Sequence, residues 1–187
     1  MTDNLLYHEK LTSAKTEALF VALTLLFLSL TLWRVDSRGW DGLAITLAVF
    51  CAIFIFYSLN YRTLVIRLTY ETLKLTFGLF TWTVPLDNIE GCQLDELPAI
   101  MKYGGAGIHF MMIRNRYRAS FNFLEYPRVV IAFKKKVGLA RDISFSTRKP
   151  EEVIRLIRKA MEENARKKFQ QAMAKVADVE PPDFDRL

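Results

Sequence analysis

Two uncharged apolar runs, residues 18–33 and 42–61, follow one another with only the polar turn 34–41 between them. As helices they span about 24 Å and about 30 Å, against a hydrocarbon layer of about 30 Å. Lys15 and Arg34 flank the shorter run and can lay their stems along lipid while their charges reach the headgroups. The Leu, Ile, Val and Phe residues of each run favour insertion by about 3–6 kcal/mol before polar costs. Trp33, Trp40, Tyr57 and Tyr61 stand at the ends, where amphipathic rings prefer the membrane interface. A core helix of a soluble protein keeps a polar stripe, and these runs are apolar all round. A cleaved leader is also disfavoured, because a polar lead precedes the first run and no small-x-small site follows it. The runs therefore predict an α-helical membrane hairpin, with everything after Arg62 hung from it.

A hairpin puts both chain ends on one side. Lys10, Lys15, Arg62, Arg67 and Lys74 lie on that side; the turn holds Arg34 and Arg38, offset by Asp36 and Asp41. The positive-inside rule then places both termini in the cytoplasm and the protein in the inner (plasma) membrane. Ala44, Ala48 and Ala52, four apart, make a small-residue stripe for close helix packing. This gives residues 1–17 as a tail, 18–61 as the hairpin, 62–176 as one compact domain and 177–187 as a loose end.

The chain carries 26 Lys and Arg against 20 Asp and Glu, and the excess falls after Arg62. A basic domain beside a membrane is drawn to anionic headgroups. Nucleic acid is not expected, since the aromatics alternate with aliphatics as core residues do instead of interleaving a basic face. Cys51 lies inside a run and Cys92 is alone in the domain, which fits a reducing compartment.

After Arg62 the apolar period becomes two. Leu64, Ile66 and Leu68, then Leu73, Leu75 and Phe77, then Phe80, Trp82 and Val84 alternate with polar residues, predicting three strands in an antiparallel meander. Pro85 closes the third, and residues 85–89 read as one helical turn. A short strand at 91–94 follows, then an irregular stretch at 95–107. Strands resume at 108–113, 117–123, 129–134 and 140–145, which with the meander makes about seven, the short 91–94 segment aside. Pro150, Glu151 and Glu152 open a helix over 150–176. Its apolar face runs through Val153, Ile157, Ala160, Met161, Ala165, Phe169, Ala172 and Met173.

The segments Thr83-Val84-Pro85-Leu86-Asp87-Asn88-Ile89-Glu90, Tyr103-Gly104-Gly105-Ala106-Gly107-Ile108, Ala119-Ser120-Phe121-Asn122 and Phe145-Ser146-Thr147-Arg148-Lys149-Pro150-Glu151-Glu152 carry a resemblance. In order and spacing, residues 62–165 resemble a bacterial pleckstrin-homology-like domain, a family often set behind one or two membrane helices. The resemblance implies an α+β fold, with antiparallel strands in a strongly bent sheet or barrel capped by a C-terminal helix. It also implies a binding or scaffolding role. Eukaryotic pleckstrin-homology domains usually grip phosphoinositides with basic residues around the first inter-strand loop. Here that loop holds Tyr70-Glu71-Thr72, so specific phosphoinositide binding is not expected.

Arg114, Arg116, Arg118, Arg128, Lys134, Lys135 and Lys136 are the densest basic groups outside the last helix. If they face the bilayer they form an anionic-lipid patch. The loop with Tyr103, Gly104, Gly105 and Gly107 offers backbone N–H groups to a phosphate. A phosphate cradle of that kind wants a helix after the glycines, and a strand follows, so the loop reads as structural. His8 and His109 make no zinc spacing with cysteines or carboxylates. Asp87, Glu90, Asp95 and Glu96 lack a second group with a catalytic role. The expectation is a non-enzymatic protein without metal or cofactor, holding a protein partner or its own copies at the membrane. An anionic-lipid sensor and an accessory subunit of a transporter or secretion complex are the alternatives.

Overall fold

The computed structural model describes residues 5–96, 107–113 and 115–177. In chain order the elements are β1 (Leu5–Thr12), α1 (Ala14–Arg38), α2 (Gly42–Asn60), β2 (Thr63–Thr69), β3 (Thr72–Phe77) and β4 (Phe80–Pro85). A 3-10 turn (Leu86–Asn88) leads to β5 (Ile89–Leu94), β6 (Gly107–Ile113), β7 (Arg116–Asn122), β8 (Arg128–Val137), β9 (Ala140–Ser146) and α3 (Pro150–Ala177).

Both apolar runs are helices, and α1 is longer than its run. Ser13 caps it, its hydroxyl accepting from Thr16 N at 3.1 Å. At the other end the polar residues 34–38 stay helical, with Arg34 Nε donating to Asp41 Oδ2 at 3.1 Å. Gly39, at φ 74°, ends the helix by donating its N–H to Val35 O. Asp41 also caps α2, accepting from Ala44 N at 2.9 Å. One carboxylate thus holds the end of one helix and the start of the next. Phe27 stacks on Phe54 at 5.3 Å in the seam between the helices, and the Cys51 thiol meets Thr24 O. Both helices are long and apolar enough to cross a membrane, and most of each is left uncovered by the rest of the molecule.

Among the described residues nine strands form two sheets, with orders β1-β2-β3-β4 and β5-β8-β9-β7-β6. The meander β2-β3-β4 has the register expected of tight turns, with Leu75 opposite both Ile66 and Trp82. Four features differ from the sequence reading. The described strands number nine, not about seven, because residues 5–12 and the short 89–94 segment both join the sheets. The sheets are not closed into a barrel. The pairing is not wholly antiparallel, because β7 and β9 run parallel, with Ser120 opposite Ser144. Residues 5–12, expected within a tail, are a strand paired along its length with β2. The local pattern of β1 is weak because its partner follows only after the hairpin.

The inner faces of both sheets and one stripe of α3 share a core. Leu11, Leu64, Ile66, Phe77, Phe121, Phe145 and Ile157 are all buried within it. Past Asn164, which donates to Tyr70 O at 2.7 Å, α3 overhangs the sheets, leaving Phe169 and Met173 exposed. Glu9 fastens β1 to the approach to α3: its carboxylate accepts from Tyr7 Oη (2.8 Å), Thr147 Oγ1 (2.6 Å) and Arg148 N (3.1 Å).

The hairpin is an insertion between two paired strands. Thr12 and Thr63 are opposite one another in the β1–β2 ladder, and Ser13 through Arg62 form the excursion between them. Arg62 pairs with Glu17 at 2.8 Å across its base. An aromatic ladder continues inward from the helices. Tyr61 sits 6.3 Å from Phe20 and 5.1 Å from Tyr57, then 5.2 Å from Phe77, which lies 5.1 Å from Phe123. Tyr57 and Tyr61 are therefore parts of the joint; Tyr61 is buried, whereas Trp33 and Trp40 are open at the opposite end of the hairpin.

Candidate functional site

The strand ends sort into two groups. Phe77, Phe80 and Gly107 meet Tyr61 at the hairpin end of the head, and Tyr126 Oη donates to Thr12 O there. The far end holds the Leu86–Asn88 turn, where Lys134 Nζ donates to Asp87 O and Asn88 Nδ2 to Lys135 O. Lys168 also lies there, pairing with Asp87 at 2.9 Å and holding that carboxyl below its ordinary value.

The structure disperses the residues of the expected basic patch. Lys134, Lys135 and Lys136 are exposed at the far end, on the last turn of β8. Arg118 and Arg128 are instead buried on the second face of the five-stranded sheet. Arg118 Nη1 is 3.2 Å from Asp95, and its Nη2 is 3.7 Å from Asp142. Arg128 Nε is 3.5 Å from Asp95. Arg116 bridges outward from Asp142 (3.0 Å) to the exposed Glu90 (3.5 Å). With its amide oxygen turned to the guanidinium, Asn122 accepts from Arg128 Nη1 at 2.9 Å. These arginines pair with carboxylates within the domain. Arg114, Tyr103, Gly104 and Gly105 lie outside the described residues. Gly107 packs against the Tyr61 ring, where φ 90° and the lack of a Cβ let the backbone approach.

The cluster floors a cleft of about 410 Å³ whose walls include Glu90, Gln93, Arg116, Arg118 and Asp142. Its carboxylates are neutralised by arginines. Cys92 lies under α3, its thiol directed to Ile154 O, and burial pushes that thiol up, opposed by Arg158. His109 faces the ion cluster's side of the sheet, opposite to Cys92. Burial, and then the Arg128 charge, push it toward the neutral form, and neither ring nitrogen has a hydrogen-bond partner among the described residues. Among the described residues no group of three His, Cys, Asp or Glu side chains is placed to share a metal ion.

The alanine stripe divides: Ala44 is buried between the helices and Ala52 faces outward. That split follows from α1 covering only one side of α2.

A feature the sequence reading passed over is the edge position of β6, which among the described residues pairs only with β7. Edge strands invite pairing with other chains unless charge, proline, a bulge or a cover blunts them. β1 carries Glu9 and Lys10 and an irregular register between Leu5 and Tyr7. β5 carries Glu90, has a register shift between Ile89 and Gly91, and is fastened to α3 through Cys92. β4 ends in Pro85. β6, Gly-Ile-His-Phe-Met-Met-Ile, has no acidic or basic residue and no proline, and its register with β7 is unbroken. On one of its faces Phe110 is 49% and Met112 68% exposed. Phe110 stacks on Tyr117 at 6.1 Å and stands 6.4 Å from Trp82 of β4. The Trp82 indole N–H is buried here without a hydrogen-bond partner among the described residues. The signal was present in the sequence as a seven-residue uncharged strand, but only the sheet order shows that it is an edge.

No family model, curated protein or solved structure matches this chain.

Proposed function

We propose that this chain is a non-enzymatic docking head anchored in the cytoplasmic membrane, which takes up an extended strand of a second protein along β6. The anchor is the uncovered α1–α2 hairpin: soluble core helices of this length are covered, and these are not. The paired Arg34–Asp41 leaves the hairpin turn little free positive charge, whereas Lys10 and Lys15 lie at the base, which favours a cytoplasmic head. The plan of packed sheets and a C-terminal helix supports a pleckstrin-homology-like kinship in outline, although the parallel β7–β9 pair and the open seam are its own.

The observation that carries the docking reading is the β6 edge, to which no second strand is paired among the described residues. Main-chain hydrogen bonds to a free edge supply affinity, and side-chain pockets beside it supply selectivity. Phe110, Met112, Tyr117 and Trp82 provide an apolar seam for an uncharged, alternating strand, and the Trp82 N–H offers a donor. A second copy fits poorly. β6 leaves the hairpin end at Gly107 and runs outward, so two copies in one membrane present it in the same direction. Antiparallel pairing would invert one copy. A two-fold axis along parallel strands would set N–H against N–H. The lipid-sensor reading draws less support, since Lys134–Lys136 stand at the end away from the hairpin.

The test is site-specific photocrosslinking of the full chain in its native membranes. A benzophenone side chain at Met112 is predicted to give a discrete adduct with one other protein, and the same group at Leu139, exposed at the far end, is predicted to give none. Adducts at neither position, or only with a second copy, would overturn the reading.

A further inference from the structure

The β3–β4 turn lies against the end of the hairpin. Gly78, at φ 56°, is pressed onto the backbone of Asn60, with no room for a Cβ. The Leu79 N–H points to Asn60 Oδ1 at 3.4 Å. The Phe80 ring meets the Phe56 ring edge-on at 6.4 Å and the Tyr61 ring at 6.4 Å. Phe56 is one helical turn back from Asn60, about 6 Å along α2. The turn therefore reaches past the end of α2 and back alongside its last turn. Its tip is apolar and open: Leu79 is 81% exposed, and with Phe80, Phe56 and Leu59 it makes one exposed apolar surface.

An exposed apolar turn in water is a liability, and a contiguous apolar surface marks an interaction site. The neighbour here is fixed by position. Leu79 and Phe80 share the depth of Phe56 and Leu59, which face lipid wherever α2 does. We infer that the Gly78-Leu79-Phe80 turn is a third membrane contact of the head, inserting Leu79 and Phe80 among the lipid chains beside α2. The inference rests on the hairpin entering the membrane. It gives the head three attachments, at Thr12, at Thr63 and at this turn. Three attachments stop the head swivelling and fix the direction in which the β6 edge faces.

The experiment labels single introduced cysteines in the full chain, reconstituted in phosphatidylcholine–phosphatidylglycerol vesicles, with an environment-sensitive fluorophore. Cys51 and Cys92 are buried, and the unsubstituted chain sets their background. Three variants are compared: Leu79→Cys, Leu28→Cys in the middle of α1, and Leu139→Cys in the far-end turn. Leu79 and Leu139 are similarly exposed turn tips, 81% and 74%, so solvent access alone predicts the same behaviour for both. The inference predicts that position 79 follows position 28: quenched by spin-labelled lipid and several-fold less accessible to iodide than position 139. Lipid quenching at 28 with iodide access at 79 equal to that at 139 would overturn the inference and leave the hairpin standing. Iodide access at 28 equal to that at 139 would overturn both.

Discussion

Thr12 and Thr63 face each other across β1 and β2, although the whole helical hairpin lies between them in the chain. The head is thus a folded unit interrupted by the helical hairpin. Replacing residues 13–62 by Asn-Gly, the preferred two-residue hairpin turn, is predicted to give a water-soluble head with a cooperative thermal transition. A fragment beginning at Arg62 lacks β1. It loses the buried Leu11 and leaves the edge of β2 open, so it is predicted to melt at lower temperature or to aggregate. Circular dichroism melts of the two proteins make the comparison, and equal stability would contradict the insertion.

The joint between head and hairpin depends on Gly78. A side chain there is strained by the positive φ and drives into the Asn60 carbonyl. Gly78→Ala is predicted to cost at least about 1–3 kcal/mol. The measurement is the unfolding midpoint of the full chain in detergent, with the open and ordinary-φ Gly91→Ala as the control that stays near wild type.

The buried ion cluster predicts an asymmetry between its inner and outer members. Asp95→Asn removes the partner of both Arg118 and Arg128, leaving buried charge, at a predicted cost of about 3–5 kcal/mol. Glu90 pairs with Arg116 in the open, and Glu90→Gln is predicted to cost at most about 1 kcal/mol. Denaturant titrations of the two variants make this check.

His109 gives the head a pH dependence. Its folded pKa is pushed below the ordinary 6.5 by burial and by Arg128, so the unfolded chain binds this proton more readily. The contribution is fully present above pH 6.5 and is lost as pH falls through the lowered folded value. His109→Gln is predicted to flatten the decline of melting temperature on going from about pH 7 to about pH 5.

The hairpin and the β2–β3–β4 meander were legible because their signals are local: continuous apolar runs, and alternation with tight turns. Gly42–Asn60 and Thr72–Phe77 fall within a residue of the expected bounds. What was not legible depends on distant partners. β1 reads as a polar lead until β2 completes it. Arg118 and Arg128 read as surface cations because Asp95 and Asp142, which pair with them, come from distant parts of the chain. The parallel β7–β9 pair and the edge position of β6 are properties of sheet order, which alternation within one strand does not encode.

The central claim is that the α1–α2 hairpin resides in lipid and carries the head with it. Flotation of the full chain, synthesised in the presence of liposomes and washed with alkaline carbonate, tests this most directly. The account predicts that the chain rises with the vesicles and that the Asn-Gly version lacking residues 13–62 stays at the bottom. A full-length chain that remained in the dense fractions, monodisperse and free of detergent, would contradict it.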